Sequence, residues 1–231
     1  MNKRIVLKKI FSVYGVAYLL LLVYVLALQM IYPKLELHLM LNGYHNSFLD
    51  TFFTYYTQLA EWPLYVLALL PLCWKKIRFT GFFALCELTA GALLQILKHA
   101  IDMERPVSAF ENCKDMVLPF VDGINMHHSN SFPSGHASTF FVFCTCCALL
   151  MAYRFTLREQ SGKRWLLYGA SMLGLLLLAT LGAYSRVYLS QHFLSDICMG
   201  SVIGFTTPIL MSYYIGHKII KPKQQEEQPT K

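Results

Sequence analysis

The sequence predicts an all-α polytopic membrane protein, a bundle of six transmembrane helices. Three observations predict it. Of its 231 residues 55% are hydrophobic and only 14% charged, against roughly a quarter charged in soluble domains. Four runs of near-spanning length contain no Asp, Glu, Lys or Arg, and two more carry one acid each. Lys and Arg then gather on one side of the loops that these runs define. The same composition excludes a disordered chain, which needs low hydrophobicity. It also makes the formal net charge of +7 a poor argument for a nucleic-acid partner, because basic loops of a membrane protein produce the same total.

The first span, residues 10–32, follows Lys3, Arg4, Lys8 and Lys9. Its apolar stretch is too long for a cleaved signal, and Gln29, Met30, Ile31 and Tyr32 offer no small-residue cleavage site, so it reads as a retained anchor. The second, 51–74, holds Glu61 beside Trp62 and Pro63, and the third, 79–97, holds Glu87. The last three cover 137–153, 165–185 and 197–217. Each approaches the length that crosses a bilayer as a helix. Of the 20 Lys and Arg, 15 lie at the N-terminus, in the second and fourth loops and in the tail, which places both termini in the cytoplasm. Residues 1–220 are expected to form one membrane domain and 221–231 a disordered cytoplasmic tail. Six of the seven cysteines sit in or beside apolar runs, so neither a disulfide framework nor zinc spacing is present, and Cys144, Cys146 and Cys147 read as packing residues.

The remaining bases are Lys34, Lys98, Arg105, Lys114 and Arg186, on the outer side. Three of them stand in polar segments with unusual content. The first runs from Lys98 to Arg105-Pro106. The second is Pro133-Ser134-Gly135-His136. The third runs from Ser185-Arg186 through His192 to Asp196. Arg offers a planar fork that suits phosphate, and Lys a point charge. Ser134 and Gly135 stand just before a helix, where free N–H groups and the helix dipole favour an anion. His192 and Asp196 are four residues apart, within reach of one another on a helix face. A carboxylate that accepts one ring N–H leaves the other nitrogen free to act as base or nucleophile. His136 has no such partner nearby and is the candidate acid.

Taken singly, each feature has a plainer reading. A basic residue at a helix end commonly snorkels, Pro133-Ser134-Gly135-His136 makes a good cap and turn, and Ser185 could cap as readily as bind phosphate. Tandem His127 and His128 lack an acid or cysteine at ligand spacing and read as a solvated loop. Glu87 lies eleven residues before Lys98 on nearly the same helix face, about 16 Å deeper. An acid at that depth should face the interior and bond to another helix.

Together the three segments resemble the signature motifs of the type 2 phosphatidic acid phosphatase superfamily: Lys, six residues, Arg-Pro; Pro-Ser-Gly-His; and Ser-Arg, five residues, His, three residues, Asp. Every position matches. The resemblance implies a membrane-embedded, metal-independent lipid phosphatase that uses no cofactor. His192 would be the nucleophile, forming a phosphohistidine, with Asp196 orienting it and His136 the acid. Lys98, Arg105, Ser134, Gly135, Ser185 and Arg186 would bind phosphate. In a bacterium the site would open at the periplasmic ends of the helices of an inner-membrane protein and act on a lipid phosphate in the outer leaflet, with no obligate protein partner. The short outer segment favours lipid A (4′- or 1-phosphate), then undecaprenyl diphosphate or phosphatidylglycerol phosphate. A phosphotransferase of the same superfamily, passing phosphate to a second lipid, is the alternative.

Overall fold

The computed structural model describes residues 3–70, 77–113, 115–156 and 161–215. The expected tail at 221–231, the ends of the second and last runs at 71–74 and 216–217, and the bases Lys75, Lys76, Lys114, Arg158 and Lys218 fall outside the described residues. The elements are helical throughout: α1 (Lys3–Ile10), a π-helical turn (Phe11–Gly15), α2 (Val16–Ile31), α3 (Lys34–Asn42), α4 (Ser47–Thr57), a 3-10 turn (Gln58–Ala60), α5 (Pro63–Leu69), α6 (Ile77–Ala100), α7 (Pro106–Glu111), α8 (Gly135–Thr156), α9 (Gly162–Tyr188) and α10 (Leu194–Tyr214).

Among the described residues five helices are long and apolar enough to cross a bilayer: Val6–Ile31, α6, α8, α9 and α10. The sequence reading expected six. The difference is the second run, which is broken into α4, the 3-10 turn and α5. Glu61 leaves helical torsions, at φ −83° and ψ −93°. Pro63, lacking an N–H, stands at the start of α5, the one helical turn where that loss is harmless. Apolar length suggested one unbroken helix, and the Glu61-Trp62-Pro63 punctuation interrupts it, although the run still passes from the end where Asp50 accepts from Tyr188 to the start of α6, where Thr80 donates to the Ala68 carbonyl.

The helix α8 is the centre of the bundle. In its most apolar 18-residue window 67% of residues are buried, against 22% in the first span and 33% in α6 and α9. Its most extensive neighbours are α10 and α9. Gly200 and Gly204, one turn apart on α10, make the approach to α8 possible. A Cβ at Gly200 would collide with the Ser134 carbonyl oxygen and stand 3.1 Å from Ala137 Cβ; one at Gly204 would collide with the Ser138 carbonyl oxygen and stand 2.7 Å from Phe141 Cβ.

The first span leans on this pair. Tyr18 stacks on Phe205 with ring centroids 4.1 Å apart, and its hydroxyl meets Ser201 Oγ at 3.2 Å. Tyr14 meets Thr145 in the same way, also at 3.2 Å. Buried hydroxyls thus find partners across helices, as a lipid environment demands. Glu87 behaves as expected: its Oε1 accepts from Thr139 on α8 at 2.5 Å and from Tyr65 on α5 at 3.1 Å.

Candidate active site

The C-terminus of α6, the N-terminus of α8, the C-terminus of α9 and the N-terminus of α10 meet at one end of the bundle, and the three motifs meet with them. The chain leaves α9 by a sharp turn. The Gln191 and His192 N–H groups both donate to the Arg186 carbonyl, at 2.9 and 3.0 Å, and Ser190 takes the left-handed conformation, φ 53°, that ends many helices. Helix α10 starts at Leu194, so His192 stands just outside it. The sequence reading allowed both residues on one helix face; capping brings them together instead. Asp196 is the third residue of α10, and its Oδ2 accepts the Phe193 N–H at 2.9 Å, a cap of the first turn. The same oxygen lies 3.5 Å from His192 Nδ1 and accepts the Ser131 hydroxyl at 2.5 Å.

His192 is 3% and Asp196 0% exposed. Burial first, then the charges of Arg186 and Arg105, push the His192 pKa down to about 4 against the pull of Asp196. The ring is therefore neutral at physiological pH. With Nδ1 turned to the carboxylate, Nε2 keeps its lone pair.

Three cations stand around it. Arg105 is held by Nε donating to the Ser129 carbonyl at 2.9 Å and Nη1 donating to the Gln191 carbonyl at 3.0 Å. Burial lowers its pKa without approaching neutrality. Arg186 is 9% exposed. It donates from Nη1 to Thr57 Oγ1 at 3.0 Å and from Nη2 to Gln191 Oε1 at 3.4 Å, while its buried Nε has no hydrogen-bond partner. Lys98 Nζ donates to the Asn130 carbonyl at 2.9 Å.

Ser134 and Gly135 open α8 as expected. The Ser134 N–H donates to the Asp196 carbonyl at 3.0 Å, and its Oγ accepts from the Ala137 N–H at 3.4 Å. That joins the second motif to the third and leaves the first-turn amides, beginning at Gly135, as the anion-facing end of the helix. His136 follows, and its buried Nε2 has no hydrogen-bond partner. Ser185 is the motif hydroxyl expected to bind phosphate. It is fully buried, and its hydroxyl donates to the Gly182 carbonyl one turn back, at 2.6 Å.

Four residues here escaped sequence reasoning: Ser131 on Asp196, Thr57 on Arg186, Glu61 at 3.9 Å from His136 Nε2, and Gln191. The Gln191 carboxamide accepts from both arginines and donates from Nε2 to the Asn125 carbonyl at 3.1 Å. None is a fixed motif position, although Gln191 lies within the third segment, and no local spacing marks them. Ser131, two residues before Pro133, is the one a reader could have suspected. His128 meets Ser108 Oγ at 3.1 Å in the loop, and no group of three metal-ligating side chains exists among the described residues.

Comparison with known proteins gives concordant matches. A family model, the PAP2 superfamily, matches residues 79–220, which include all three motifs. The lipid A 4′-phosphatase of Bacteroides thetaiotaomicron is 28% identical over 204 residues, 83% of this chain and 80% of that protein. The crystal structure of Aquifex aeolicus LpxE is similar with a TM-score of 0.58 at 23% identity, covering 80% of this chain and 98% of that one.

Proposed function

The chain belongs to the PAP2 superfamily, and from that membership we propose that it removes phosphate from lipid A through a phosphohistidine at His192. It is a phosphatase acting on membrane lipids. Lipid A is supported by the Bacteroides relative, whose similarity extends over most of both chains, and by the short segment between Arg105 and Pro133. Undecaprenyl diphosphate and phosphatidylglycerol phosphate come next.

The observation that carries the mechanism is a neutral, carboxylate-pinned histidine beneath three cations, one of which has a buried N–H with no acceptor. Lys98, Arg105, Arg186 and the first amides of α8 from Gly135 hold the phosphoryl oxygens and stabilise the charge that builds on them. The His192 Nε2 lone pair attacks phosphorus as the bond to the lipid oxygen breaks, and His136 gives that oxygen its proton. Water, losing a proton to His136, then hydrolyses the phosphohistidine and releases phosphate. Asp196 accepts a hydrogen bond from Nδ1–H throughout, and Ser134 acts through its cap on α8. The site faces the periplasm, at the outer ends of helices in a bacterial inner membrane, where the lipid presents its phosphate from the outer leaflet.

Labelled lipid A phosphate tests this directly. Alkaline quench of the purified enzyme should trap an acid-labile phosphoprotein that His192→Ala abolishes along with phosphate release. Turnover by His192→Ala would overturn the assignment. Mass spectrometry of membrane lipids with and without the gene identifies the substrate as the species that gains one HPO3 unit when the gene is absent.

A further inference from the structure

The broken second run has a partner at the active site. His136 and Phe140 are four residues apart on α8, hence on one face. Ala60 and Leu64, on either side of the break, pack with Phe140 in a small core of their own, where Tyr56 stacks on the Phe140 ring at 5.5 Å. Behind Phe140, Gly182 of α9 leaves room for that ring and nothing more. The break is therefore seated on α8 one turn from His136, and Glu61, at its apex, reaches the histidine.

The Glu61 Oε1 stands 3.9 Å from His136 Nε2, in ion-pair range. Glu61 is 58% exposed on its side chain, yet the nitrogen it faces is buried and has no hydrogen-bond partner. Lys98, Arg105 and Arg186 are all within electrostatic reach of His136, so the site is strongly positive. Among the described residues Glu61 is the carboxylate placed against the acid histidine, as Asp196 is against the nucleophile. It lies outside residues 79–220 that the family model covers.

We propose that Glu61 is the positioning carboxylate of His136: it orients the ring and helps it keep its proton until the leaving oxygen arrives. This rests on the assignment of His136 as the acid. The proton moves from His136 to the lipid oxygen as the phosphorus–oxygen bond breaks, and Glu61 itself neither gains nor loses one.

Leaving-group dependence tests the proposal. Dodecyl phosphate departs as an alkoxide and needs the acid; a nitrophenyl phosphate ester carrying the same dodecyl tail departs as a stable phenolate and does not. The ratio of kcat/KM for the two esters is independent of how much enzyme is folded, and kcat/KM stops at the first irreversible step. Glu61→Gln should lower the dodecyl rate about tenfold and leave the nitrophenyl rate within about twofold, and Glu61→Asp should recover part of the loss. His136→Ala should show the same selectivity at about 100-fold or more. Equal losses on both esters in Glu61→Gln, or none, would overturn the proposal while His136→Ala keeps its selectivity. Loss of selectivity in His136→Ala would overturn the acid assignment beneath it.

Discussion

Gly200→Ala separates packing from catalysis at one atom. The new Cβ would collide with the Ser134 carbonyl oxygen and lie 3.1 Å from Ala137 Cβ. Ordinary contact begins near 3.4 Å, so α10 must retreat from α8 by about 1 Å at this level. Overpacking of this kind costs about 1–3 kcal/mol, about 2–10 °C in Tm for a chain of this size. Gly204→Ala should cost a similar amount, since its Cβ would meet the Ser138 carbonyl oxygen in the same way. Activity should part the two variants. Ser134 is tied by its N–H to the Asp196 carbonyl, and Asp196 orients His192, so a shift at Gly200 moves the nucleophile, its carboxylate and the α8 terminus relative to one another. Misplacement by about 1 Å can cost about 100-fold, so Gly200→Ala should lose about 100-fold in kcat/KM, and Gly204→Ala, one turn deeper, less than tenfold. Thermal scans in detergent and phosphate release measure both effects. Equal activity loss at equal Tm loss, or wild-type behaviour of Gly200→Ala, would refute the coupling.

Two more outcomes follow from the same geometry. On the proposed mechanism His192 acts as the neutral ring, and with its pKa pushed down to about 4, chiefly by burial, that form persists to about pH 5 and is lost as pH falls through about 4. Ring-labelled histidine NMR of the free enzyme should show this titration, and a midpoint near the ordinary value of about 6.5 would contradict it. Ser131→Ala removes the hydroxyl that donates to Asp196 Oδ2; the loss of one such charge-assisted bond, about 1.5–3 kcal/mol, should lower Tm by about 3–12 °C and kcat/KM about tenfold to 100-fold, and wild-type kcat/KM would show that the hydroxyl does nothing for the dyad.

The motif residues were legible because their chemistry is written in ordered strings: a base seven residues from another base, a turn before a helix, a histidine four residues from an acid. Structure brought those strings to one end of the bundle. What stayed hidden came from residues whose meaning lies in another segment. Gln191 and Thr57 acquire roles only because the two arginines fold toward them, and Ser131 only because α10 starts beside it. The helices also ran past the charge-free windows, since α6 carries Lys98 and α9 carries Arg186 in their last turns, where long basic side chains reach beyond the apolar zone. The second run differs in continuity: its helix is interrupted, and the Glu61-Trp62-Pro63 signal for that interruption was in the sequence, outweighed by hydrophobic length. Ser185 takes a bond that its motif position does not announce, its hydroxyl donating to a carbonyl one turn back in its own helix.

Asp196 caps α10, supports Ser131, faces His192 and lends its carbonyl to Ser134. Starting the last helix and assembling the nucleophile are therefore a single event. Most of the cations and the acid histidine are synthesised well before it, yet they surround an unfinished centre until the C-terminal helix seats against α8. On the proposed mechanism a chain lacking that helix should be inert toward lipid phosphate, and turnover would report that the final helix has inserted.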